Sequence, residues 1–155
     1  MGRVVLAGPT EVRAGAELAV SVVLVDPAGV GAFDLDIAFD PQAMQVVRAG
    51  LGPLLGSTGR TAGALGPAAD NAAGRVALGG YSLGEAAGPT ESGELAQVTF
   101  RALREGAATL SIERLVVATV DGTRMAAEGR GLTVSVGKGG TVPDGRRIYL
   151  PTTQR

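Results

Sequence analysis

Short runs rich in Val, Leu and Ile recur along this chain, each closed by Gly, Pro or Asp before it reaches helix length. "RVVLAGP" (3–9), "ELAVSVVLVD" (17–26), "AFDLDIAFD" (32–40) and "AMQVVRAG" (43–50) come first. "GRVALGGYSL" (74–83), "GELAQVTFRAL" (93–103), "ATLSIERLVVATV" (108–120) and "GLTVSV" (131–136) follow. Turn chemistry separates them, as at Pro27-Ala28-Gly29, Glu105-Gly106 and Asp121-Gly122. Strand-length runs with little helical periodicity predict an all-β sandwich or barrel.

Alternation within the runs assigns faces. In "AFDLDIAFDP", Phe33, Leu35, Ile37 and Phe39 fall on one side of a strand, Asp34 and Asp36 on the other. Leu18, Val20, Val22 and Leu24 share a face, opposed by Ala19, Ser21, Val23 and Val25. Ala96, Val98, Phe100 and Ala102 form a better buried face than Leu95, Gln97, Thr99 and Arg101. Asp40 ahead of Pro41 predicts a single capped helical turn through Met44. The Gly/Ala-rich span 50–73 is too long for a structureless loop, so an irregular edge strand is expected there. One domain is expected over 1–137, followed at 138–155 by a Gly-rich linker and the short run "RRIYLP", a strand or tail.

Composition narrows the function. The chain has 155 residues and no His, Cys or Trp, so no thiolate nucleophile, Ser-His pair, disulfide or usual zinc site is available. A net charge of −1 removes the driver of nucleic-acid binding. No run approaches the roughly 18 apolar residues of a membrane span, and the opening "MGRVVLAGP" is too short for a secretory leader. "GKGGT" lacks the spacing and following helix of a phosphate-binding loop.

The two acids invite chemical readings. Asp34 and Asp36 stand about 6.6 Å apart from twice the strand rise, a spacing an inverting glycosidase tolerates. An aromatic content of 3% leaves no platform for sugars, which argues against catalysis. No calcium loop motif occurs; a surface calcium site would need Asp34 and Asp36 to meet Asp70 or Glu91. The remaining readings are a solvated strand face and a protein-recognition face, on which acids steer a partner and small residues such as Ala32, Ala38 and Gly80 leave a flat surface.

Over residues 3 to about 137 the sequence resembles the cohesin module of cellulosome scaffolds. "AGPTEVRAGAELAVSVVLVD" is similar to that family's first two strands, and "VGAFDLDIAFDPQAMQVV" to its third strand, Asp-Pro turn and fourth strand. "GRVALGGYSL" and "SGELAQVTFRAL" resemble the sixth and seventh, and "GLTVSV" the closing strand. The resemblance implies a nine-stranded jelly-roll β-sandwich that binds dockerins, small helical modules carrying their own calcium. It implies contact through the third, fifth, sixth and eighth strands, with no cofactor or metal of the module's own. Ala32, Asp34 and Asp36 fall where the third strand meets the partner; Ala32 departs from a position often polar there. Both faces of "GRVALGGYSL" are apolar or small. Similarity turns Ala77, Gly79 and Tyr81 inward and Val76, Leu78 and Gly80 outward, so Leu78, Gly80 and Leu83 are expected at the partner.

The resulting expectation is a non-catalytic module that recognises a dockerin-bearing protein. The resemblance also implies an extracellular or cell-surface location, with the leader absent from this chain. Two other classes compete with it. A structural subunit of a surface layer or fibre would self-associate by adding the C-terminal tail as a strand to a neighbouring copy. A carbohydrate-binding module is weakened by the scarcity of aromatic residues.

Overall fold

The computed structural model describes residues 2–138. The "RRIYLP" run lies outside the described residues, and with it the expected tail strand and its self-association. The strands are β1 (Gly2–Ala7), β2 (Glu11–Arg13), β3 (Glu17–Val25), β4 (Val30–Ala38), β5 (Met44–Leu51) and β6 (Thr61–Asp70). They continue with β7 (Arg75–Leu83), β8 (Gly93–Ala102), β9 (Gly106–Thr119), β10 (Arg124–Met125), β11 (Ala127–Arg130) and β12 (Leu132–Gly137). One sheet has the order β11-β1-β3-β8-β5; the other has β2-β12-β9-β4-β7-β6, with β10 paired to β9. Setting aside the short β2, β10 and β11, nine strands remain, as the jelly-roll expectation requires. No helix among the described residues is long and apolar enough to cross a membrane.

Period-two alternation builds the core from both sheets. Leu18, Val20, Val22 and Leu24 of β3 and Ala96, Val98, Phe100 and Ala102 of β8 are buried from one side. Phe33, Leu35 and Ile37 of β4 meet them from the other. Phe39 packs edge-on against Phe100, centroids 5.4 Å apart and planes at 74°. The turn after Asp40 forms as expected: its carboxylate accepts from the Gln42 N–H at 2.9 Å, and its carbonyl accepts from Ala43 and Met44 at 3.0 Å.

Both ends of the domain are tied in. β1 runs parallel to β11 and β2 parallel to β12, so the N-terminal segment crosses between the sheets and pairs in each. The Gly/Ala-rich span supplies β6, an edge strand whose register shifts between Leu65 and Ala68 around a cis Gly66–Pro67 peptide. A bulge and a proline on an exposed edge discourage indiscriminate strand addition.

Candidate functional site

The outward face of β9-β4-β7-β6 is read directly from the register. One row runs Ala118, Ala32, Tyr81, Gly63; the next runs Val116, Asp34, Gly79, Leu65; the third runs Arg114, Asp36, Ala77, Ala68. Small residues dominate, so the floor is flat. Side chains of consequence stand on it in two groups.

The first group answers what the paired acids do. Arg114 lies opposite Asp36 on the neighbouring strand and grips both carboxylates. Its Nη1 donates to Asp34 Oδ2 at 2.8 Å and its Nη2 to Asp34 Oδ1 at 3.0 Å, a bidentate fork. Its Nε reaches Asp36 Oδ2 at 3.2 Å and Nη2 reaches Asp36 Oδ1 at 3.1 Å. The hydrogen bonds from Arg114 hold the Asp34 carboxyl below its ordinary value, against a smaller opposing effect of burial. The same bonds hold Arg114 firmly protonated. Arg75 and Glu113 add a looser pair at 3.8 Å on the same face. Asp70 stands at the far end of β6 opposite Arg75, two strands from Asp36, with its carboxylate accepting from the Ala72 and Ala73 N–H groups in the following turn. Among the described residues no cluster of three or more acids forms a metal-binding set.

The second group is apolar. Leu65 is 53% exposed, Tyr81 38% and Leu83 63%, and all stand on the β6–β7 side of the face. The Tyr81 ring lies across Gly63, where an added Cβ would sit 2.5 Å from its Cζ and Oη. Glycine there lets an aromatic ring lie flat on its cross-strand neighbour. Leu83 stands where β7 leaves the sheet, and Arg60 tethers that exit. Its Nε donates to Ser82 Oγ at 2.8 Å, Nη2 to the Ser82 carbonyl at 3.0 Å and Nη1 to the Gly84 and Ala86 carbonyls at 2.6 and 2.9 Å.

The expected orientation of β7 is reversed. Leu78 is only 4% exposed, and Val76 and Gly80 are buried with it, while Tyr81 points out. Directly opposed residues in an antiparallel pair share a face. Leu78 faces Leu35 and Gly80 faces Phe33, both core residues of β4. The space inside Gly80 is filled by Leu51, Leu55 and Phe33, whose nearest atoms lie 2.6–3.0 Å from where a Cβ would be. Leu78 and Gly80 therefore cannot touch a partner on this face. Ala32, Asp34, Asp36 and Leu83 are on the outward side, each at least partly exposed. Arg114 and Leu65 join the face without having been expected from the sequence, and Tyr81, expected inward, stands on the outward side. An Arg after Glu113 on an apolar strand is visible in the sequence, but its position opposite Asp36 depends on a bulge in the β4–β9 register.

The family model for the cohesin domain matches residues 2–136. The chain belongs to the cohesin-domain family. No curated protein matches this cohesin domain in sequence. Solved structures match its fold. A non-cellulosomal cohesin from the hyperthermophilic archaeon Archaeoglobus fulgidus aligns at TM-score 0.67 and 16% identity, over 87% of this chain and 90% of that one. The third cohesin ScaC of Acetivibrio cellulolyticus, solved with the ScaB dockerin, aligns at TM-score 0.70 and 17% identity, over 88% and 99%. A Clostridium thermocellum OlpC cohesin–dockerin complex aligns at TM-score 0.68 and 14% identity, over 89% and 94%.

Proposed function

We propose that this cohesin domain is a non-catalytic docking module that binds a dockerin-bearing protein through the outward face of β9-β4-β7-β6. The observation that carries the reading is the coincidence of Leu65, Tyr81 and Leu83, exposed on a floor of small residues, with the Asp34–Arg114–Asp36 triplet beside them. An apolar anchor next to a polar register element is the anatomy of a protein interface. Four strands at about 4.8 Å spacing give a face roughly 19 Å wide. That suits helices whose axes lie about 8–10 Å apart. In family order β4, β6, β7 and β9 are the third, fifth, sixth and eighth strands, which the family resemblance assigns to the partner. Dockerin complexes among the related structures favour the same partner class.

In this reading calcium belongs to the dockerin, and the location is extracellular or cell-surface. Ala32, Asp34, Asp36 and Leu83 keep their places at the interface; Tyr81 and Leu65 replace Leu78 and Gly80 as apolar contacts. The test is calorimetric titration against a panel of purified dockerins in calcium and again in chelator. A calcium-dependent 1:1 complex is expected with at least one member, weakened by more than about 2 kcal/mol in Leu83→Asp or Tyr81→Ala. Full affinity retained by both variants would move the interface off this face.

A further inference from the structure

We propose that Arg114 is a specificity-determining residue of this face: by occupying both carboxylates it selects partners presenting hydroxyl or amide groups there and disfavours a Lys or Arg. The inference rests on the docking reading above and concerns which dockerin surface the face accepts. Two acids two residues apart on one strand, left alone, are a cation site. Here every carboxylate oxygen already receives an N–H from the guanidinium, at 2.8–3.2 Å. Each oxygen retains a second acceptor direction. A neutral donor such as a Ser, Thr, Asn or Gln side chain adds a bond without disturbing the clamp.

An arriving ammonium or guanidinium meets a different situation. It must share the carboxylates with a cation already bound to them, or displace a bidentate fork. Both routes carry a like-charge or lost-bond cost that the neutral donor avoids. The triplet retains one net negative charge, so an acidic partner gains nothing either. Arg75 does not alter the balance, since Glu113 pairs with it. Affinity then comes chiefly from Leu65, Tyr81 and Leu83, and it is expected to vary little with salt.

The experiment uses a displayed library of calcium-loaded dockerins, randomised at exposed helix positions and selected in parallel on wild type, R114Q and R114K. The wild-type pool is expected to be rich in Ser, Thr, Asn and Gln. The R114Q pool is expected to shift toward Lys and Arg by about tenfold. R114K, which restores a positive charge, is expected to return toward the wild-type pool. Binders from R114Q are expected to lose about tenfold in affinity between roughly 50 and 500 mM salt, and wild-type binders less than about threefold. A D34N/D36N bait, tested by thermal unfolding for retention of fold, frees Arg114 and is expected to draw Asp and Glu instead. Equal Lys and Arg frequencies in the wild-type and R114Q pools, or no acidic enrichment on D34N/D36N, overturn the role of Arg114 and leave docking standing. Failure of every bait to draw a binder overturns the docking reading and this proposal together.

Discussion

Asp34 accepts two hydrogen bonds from one guanidinium, and this holds its carboxyl below the ordinary value of 3.8. A carboxyl depressed in the folded state stabilises the fold above its unfolded value and ceases to do so as pH falls through the folded one. The contribution is therefore full above about pH 4 and fades below it. Asp121 has the same sign, through the Thr119 hydroxyl and the Thr123 backbone. Thermal unfolding followed from pH 7 to pH 2 is expected to show Asp34→Asn losing part of the acid-side decline. An unchanged acid limb would mean the clamp does not survive in solution. Ala28 poses a backbone question, since its φ of 50° lies in the left-handed region. That conformation costs a non-glycine residue roughly 1–2 kcal/mol, and the extra chain entropy of glycine offsets about half of it. Ala28→Gly is expected to raise stability by about 0.5–1 kcal/mol in urea unfolding; a loss would show that the turn relaxes without strain.

β7 shows how a strand's faces are settled by its neighbour. "GRVALGGYSL" carries apolar or small residues at both parities, so alternation along it has no sign. β4 has a sign, because Asp34 and Asp36 mark its wet side. Once β4 and β7 pair with Leu35 opposite Leu78, the sign passes across and Tyr81 goes outside. The arrangement also avoids burying the Tyr81 hydroxyl, which would need a partner in the core. Gly80→Val tests the assignment, since its side chain would enter space held by Leu51, Leu55 and Phe33. A loss of about 1–3 kcal/mol is expected from overpacking, read as a lower urea midpoint. A neutral result would place that residue on the solvent side. β6 is legible in the sequence only as an edge strand somewhere between 50 and 73; its contribution of Leu65, exposed on the outward face, is not.

Across the whole molecule, the ends of the described chain are pinned to each other. β1 lies between β11 and β3, with Val4 and Leu6 buried in the common core. Burying two such side chains contributes about 3–6 kcal/mol, a large fraction of the roughly 5–15 kcal/mol by which a domain is stable. Deleting Gly2–Ala7 is expected to abolish cooperative unfolding in a thermal melt; a sharp transition in the truncated chain would contradict the part given to β1. Pairings of this sequence separation also predict slow folding relative to helical domains.

The sandwich class and the inner faces of β3, β4 and β8 follow from local chemistry, because a side chain's direction flips at each residue and turn residues mark where a run stops. Neighbour relations are not local. Arg114 is distant in sequence from Asp34 and Asp36, and only the pairing of β9 with β4, bulge included, makes the three one charged unit. Tyr81 and Leu65 became a surface patch because β7 inherited its orientation from β4 and passed it to β6. Periodicity tells a chain which residues share a face; which face is wet, and who stands beside whom, is fixed when the sheets close around the core.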